Sequence, residues 1–299
     1  MALAIQRQDP TRTTTIRQEY ARHLRSLFDE VMRQIRVGLV ENDALAIQQA
    51  PGPRDFDFPT DSAKVDAFES WLQGAIDEEI LSAWDGENFI RQGAGKGIEH
   101  ADTELARAGI DPGDSDVVTI LRQPVHRDKL ELMFTRNFDE LEGITSAMEQ
   151  QLERELSEGL ASGVGPDEIA RNMSERVDGI KRNRANTMAR TEVIRAHSEF
   201  TLDRYEQIAG DIEVTIVAEF STALDDRVCP MCEELEGSTY SISEMRSATF
   251  QPEVAKNRAV SEFPVQPPVH PNCRCAILPR IDRSAAQAVA QFKGEAVAA

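Results

Sequence analysis

Nowhere in this 299-residue chain do about eighteen apolar residues run together, so no membrane-spanning helix is expected. Met1 to Asp9 also lack the apolar core of a secretory signal. Lysine is nearly absent: Lys64, Lys96, Lys129, Lys181, Lys256 and Lys293 are the full set, and arginine carries the rest of the positive charge. That charge is outweighed, with 33 basic against 52 acidic side chains and a formal net charge of -19. Such a surface repels a phosphate backbone, which removes bulk nucleic-acid binding as a default and leaves only local DNA contact. Acidity with scarce lysine also suits a high-salt host, because strong salt screens self-repulsion. Catalytic signatures are missing as well: no Ser-His-Asp order, no dinucleotide-binding glycine fingerprint and no His-Glu-x-x-His occurs. Enzymatic activity is therefore not expected. Hydrophobic residues make up 40% of the chain, enough for a substantial core in two parts, and a soluble protein made in a cytoplasm is expected.

Cysteine is scarce but not scattered. All four cysteines lie in Cys229-Pro230-Met231-Cys232 and in His270-Pro271-Asn272-Cys273-Arg274-Cys275. A cysteine pair separated by two residues lets both thiolates face one ion from a single turn, and His270 and Cys273 repeat that spacing. Cys229, Cys232, His270, Cys273 and Cys275 are thus five candidate ligands for a structural Zn2+ that takes four, and spacing does not say which is spare. Two disulfides are the competing outcome, since four is an even number. The Cys-Pro-x-Cys turn and the nearby histidine favour the metal.

Along the chain, Ile16, Tyr20, Leu24, Leu27, Val31 and Ile35 fall on one face of a long helix. Asn42 to Pro59 reads as a proline-rich loop, followed from about Ser62 by a second helix burying Val65, Phe68, Leu72, Ile76 and Ile80. Trp71 and Trp84 are expected as packing or interface anchors. Gly93-Ala94-Gly95-Lys96-Gly97 lacks the remaining features of a phosphate loop, and a flexible helix-to-helix turn is expected there. A long helix is expected from His126 to Leu160, a short one from Pro166 to Met173, and another from Asp178 to Ile208. Strands are expected near Glu213–Phe220, Ser238–Ile242 and Arg274–Leu278, with a surface loop over Met245–Pro268. From Ser284 the chain is alanine-rich, with Val289 and Phe292 as its apolar anchors, and reads equally as a docking helix or a tail.

Four motifs in order, Arg190-Thr191-Glu192, Asp226 to Cys232, Leu235-Glu236-Gly237 and Pro267 to Cys275, resemble the phage minor head protein family. This is the head morphogenesis or Mu F-like group of tailed viruses. The resemblance covers about the last third of the chain. Upstream of about residue 165 it extends only to the family's plan of a variable helical region. It implies a structural minor capsid protein at the portal vertex, acting in head assembly and in DNA packaging or ejection. Implied partners are the portal protein, the major capsid protein and further copies of itself. The implied location is the virion, in the capsid interior or at the portal vertex, after assembly in the host cytoplasm.

The expected fold is α+β: a mostly α-helical N-terminal region (1–164), a small C-terminal α+β module stapled by zinc (165–280), and a tail (281–299). Arg190-Thr191-Glu192 is expected to clamp a helix to that module, with Glu192 pairing to Arg195 three residues on. Asp225, Asp226, Glu233, Glu234 and Glu236 are expected in a solvated loop. Two other functions stay open. A zinc-dependent nucleobase deaminase would use His197, Glu199, Cys229 and Cys232, but leaves His270, Cys273 and Cys275 without a role. A DNA-contacting ejection protein would use the helix bearing Arg176, Lys181, Arg182, Arg184, Arg190 and Arg195.

Overall fold

The computed structural model describes residues 9–42, 58–255 and 262–281. The alanine-rich stretch from Ser284 and most of the proline-rich loop after Asn42 lie outside these residues. The protein is mostly helical, with a small sheet region near its C-terminus. Among the described residues no helix is long and apolar enough to cross a membrane. Two compact units are each assembled from separated stretches.

One unit comprises Gln18–Gly86 and Phe134–Ala189. It takes most of α1 (Thr14–Arg36), whose apolar stripe Tyr20, Leu24, Leu27, Val31 and Ile35 is buried. A π-helical turn, Val37–Glu41, continues it. Helix α2 (Phe58–Ile76) begins earlier than expected, with Pro59 in its first turn, where no intrahelical N–H is required. Phe68, Leu72, Ile76 and Ile80 are buried, the last in a second π-helical turn. Trp84 packs on the edge of Phe138 at 5.3 Å and donates its indole N–H to Tyr20 Oη at 3.1 Å. The Tyr20 hydroxyl donates to Asn137 Oδ1 at 2.5 Å, so these aromatic anchors are also hydrogen-bonded.

Among the described residues, the other unit comprises those up to Arg17, Glu87–Met133 and those from Arg190 to Ile281. Helix α3 (Gly86–Arg107) runs straight through Gly93–Gly97, so the turn expected there is absent. The glycines serve close packing instead. A Cβ on Gly97 would sit 2.2 Å from the His197 carbonyl oxygen, and one on Gly93 would sit 3.0 Å from that of Val193. Two glycines four residues apart thus let α3 lie against two backbone carbonyls of α6 (Pro166–Ile212), also four apart. Helix α6 is continuous, where two helices broken near Met173 were expected. No proline interrupts that stretch, and Met173 and Val177 are both buried in register.

A short α4 (Val117–Leu121), capped by Asp116, precedes α5 (Pro124–Ser162). The sheet has the order β2 (Thr239–Ser241), β1 (Ile216–Ser221), β5 (Ala276–Ile281), all antiparallel. Strand β5 pairs along all of β1, from Ile216 opposite Ile281 to Ser221 opposite Ala276. Between β2 and β5 the chain is more ordered than a plain loop: α8 (Ile242–Ser247), then a small ladder of β3 (Thr249–Phe250) and β4 (Phe263–Pro264). Met245 and Val265 are buried there, in one core with Leu105, Tyr205, Ile208, Phe220 and Ile277.

Candidate metal centre

The strand β1 feeds a loop that ends in α7 (Pro230–Leu235), a six-residue helix with Pro230 at its start and Cys229 as N-cap. Proline suits that position because its missing N–H is not needed there. The Cys229 Sγ accepts the Cys232 N–H at 3.5 Å, which turns both sulfurs to one side. The second turn is built likewise: Cys273 N–H donates to the His270 carbonyl at 3.1 Å, and Asn272 takes a left-handed φ of 68°. Asparagine tolerates that conformation better than most residues.

All five candidate ligands line one cavity of about 40 Å³. The ligand atoms form two groups sharing Cys232, namely Cys229, Cys232 and His270, and Cys232, Cys273 and Cys275, each within 4.8 Å. The His270 Nε2 lies 3.0 Å from Cys229 Sγ and 3.2 Å from Cys232 Sγ, and Cys232 Sγ lies 3.9 Å from Cys273 Sγ. Tetrahedral zinc with Zn–S of about 2.3 Å requires sulfurs about 3.8 Å apart, so the spacing fits such an ion. The His270 Nδ1 meets the Pro271 carbonyl at 2.8 Å, which places the proton there and turns the Nε2 lone pair to the sulfurs. All four cysteines are free thiols.

Three buried sulfurs this close cannot all keep ordinary acidity. Thiol hydrogen bonds from Cys232 and Cys275 push Cys273 well below the usual range, and the bond to Cys273 pushes Cys232 up. A bound cation would displace these protons, as a soft, thiolate-rich donor set requires. The cluster could therefore hold a metal ion.

Several side chains fix the two turns. The Thr191 hydroxyl accepts the Asn272 N–H at 3.4 Å, so this threonine of α6 meets the second knuckle. Glu192 is buried, with Arg195 Nε 3.4 Å from its carboxylate. Asp225 was expected in a solvated loop; instead its side chain is 7% exposed and forms a bidentate pair with Arg274 at 2.6 and 2.7 Å. That pairing holds its carboxyl well below the usual carboxylate range. Glu236 stays exposed as expected, yet it accepts the Thr222 N–H at 2.6 Å, which ties the end of α7 to the end of β1. Composition hid both, because acids are common throughout the chain.

His197 belongs to neither ligand group. Its ring is fully buried beside His100 at 5.0 Å, with both nitrogens unpartnered, and burial holds its pKa well below the usual value. Glu199 accepts from Gln266 Nε2 at 2.8 Å. The histidine and the two cysteines of the deaminase arrangement are thus not brought together. Three of the six basic residues on this helix are ion-paired: Arg176 with Glu155 at 2.5 Å, Arg195 with Glu192, and Lys181 with both Asp29 and Asp178.

Residues 150–278 match the family model described as Phage Mu protein F like protein. The matched stretch contains all the motif residues above, and over it the chain is similar to this phage protein family. No curated protein and no solved structure matches the chain.

Proposed function

We propose that the protein is a structural minor capsid component at the portal vertex, acting in head assembly and in packaging or ejection of the genome. The observation that carries this is the family match over residues 150–278, whose separate motifs meet in one knot. Thr191 of α6 touches the second knuckle, Arg274 between the knuckle cysteines grips Asp225, and Glu236 ties α7 to β1. Such a knot makes a rigid end, and long helices with apolar seams offer the surfaces that assembly partners use. Within it, Cys229, Cys232, His270 and Cys273 would hold a structural Zn2+, with Cys275 as the spare thiol. Four protein ligands close the coordination sphere and leave no position for an activated water, so the centre supports folding and not catalysis.

The test is copurification and incorporation. Heads assembled with wild-type protein should contain it and yield it with the portal protein on gentle disruption. Heads assembled with Cys232→Ser should lack it, while His197→Leu should be incorporated normally. Wild-type protein absent from purified heads, or recovered without portal protein, refutes the portal assignment.

A further inference from the structure

The electrostatics beside the metal centre contain a mismatch. Four arginines converge there within one unit: Arg17 from the start of α1, Arg190 from α6, Arg227 from the loop before α7, and Arg274 from the second knuckle. Arg17 feels the charges of Arg190 and Arg274, and Arg190 those of Arg274 and Arg227. Two carboxylates answer them. Asp9 lies 3.2 Å from Arg17, and Asp225 pairs with Arg274 and, at 3.1 Å, with Arg227. Among the described residues, no hydrogen bond or ion pair reaches the half-buried Arg190 guanidinium. The Arg17 Nε is buried without an acceptor, on a side chain only 8% exposed. In so acidic a chain, Arg190 feels Asp9 and the Cys273 sulfur only through their charge and has no carboxylate directly upon it.

We propose that Arg17, Arg190, Arg227 and Arg274 form a receptor for a carboxylate presented by an acidic segment of a partner protein. A guanidinium offers planar paired donors to an oxyanion, and Arg190 has all of its donors free for one. Arg227 and Arg274 border the cavity of the metal centre, so the receptor is framed by the rigid knuckles. Carboxylate is favoured over nucleic-acid phosphate because the members already satisfied are satisfied by aspartates, Asp9 on Arg17 and Asp225 on Arg274. Four arginines less two aspartates, and less the one net negative charge of three thiolates on a divalent zinc, leave an excess that suits one incoming carboxylate. The receptor rests on these residues and not on the portal assignment.

The experiment uses the full chain, a fluorescently labelled deca-glutamate peptide and a duplex of about 20 base pairs carrying the same label, at roughly 50 mM salt where exposed charges still interact. Wild type should bind the peptide more tightly than the duplex. Arg190→Gln should weaken peptide binding at least tenfold, and so should Arg227→Gln. Arg227 is 68% exposed, so that variant decides the matter if Arg190→Gln does not fold. Arg184→Gln, on an exposed stretch of α6 in the other unit, should leave binding unchanged. No peptide binding by wild type, binding indifferent to both substitutions, or tighter binding of the duplex through these arginines would each overturn the proposal.

Discussion

Replacing Cys232 by serine should empty the metal centre, whereas the same change at Cys275 should not. The two positions make a matched pair, since each is 3% exposed and each loses one sulfur from the same core. Cys232 alone belongs to both ligand groups and contacts both His270 and Cys273. Structural zinc in small domains contributes about 10–16 kcal/mol at neutral pH, or roughly 2.5–4 kcal/mol for each of four ligands. At 1.4 kcal/mol per decade, losing one ligand lowers affinity by about two to three orders of magnitude. Wild type should keep about one zinc per chain on dialysis against a chelator of intermediate strength, and Cys275→Ser should match it. Cys232→Ser should come out metal-free. Hydrogen exchange should then show loss of protection in β1, α7 and β5, while α1 and α2 keep theirs. Zinc retained equally by Cys232→Ser, or two disulfides in place of metal in the wild type, would refute the reasoning.

Gly97→Ala should destabilise the fold by about 2–3 kcal/mol, because the added Cβ lies 2.2 Å from backbone that cannot rotate away. Gly95→Ala meets only a Val117 methyl at 3.2 Å and should cost far less; equal urea midpoints for the two would discount the close approach. His197→Leu should flatten the acid limb of stability. Burial and the charges of His100 and Arg17 lower the folded-state pKa of His197 from its ordinary 6.5, so the unfolded chain binds the extra proton. The contribution is therefore complete above about pH 6.5 and is lost below it at up to about 1.4 kcal/mol per pH unit. Identical midpoint shifts for wild type and His197→Leu between pH 7.5 and 5.5 would sink this. Melting temperature should climb as potassium chloride is raised to molar levels, because 52 acids against 33 bases repel until screened. A flat salt profile would count against a high-salt host.

The apolar seam of α1 is legible from residue spacing alone, since Tyr20, Leu24, Leu27, Val31 and Ile35 carry a helical period that only one face can satisfy. The glycines of α3 are not. A Gly-x-x-x-Gly pair has the same composition in a flexible turn and in a close helix contact, and only the opposing carbonyls of Val193 and His197 separate them. The length of α6 is hidden for a related reason: Pro166 marks a start, but nothing local reveals that the turns around Asp178 stay helical. Spacing picks out the five candidate ligands because chelation is local within each turn. The Asp225–Arg274 pair and the Thr191 contact join residues 49 and 81 positions apart, beyond the reach of any local pattern.

The discontinuous make-up of the metal-bearing unit sets an order of events during synthesis. Arg17 and Asp9 leave the ribosome early, yet their unit also requires β5, which ends at Ile281. At about 5–20 residues per second, its first and last pieces emerge on the order of tens of seconds apart. Gln18–Gly86 and Phe134–Ala189, which make up the other unit, are both complete well before that. One unit can therefore fold on the nascent chain, while the other must wait for β5 to emerge before its knuckles can close on an ion.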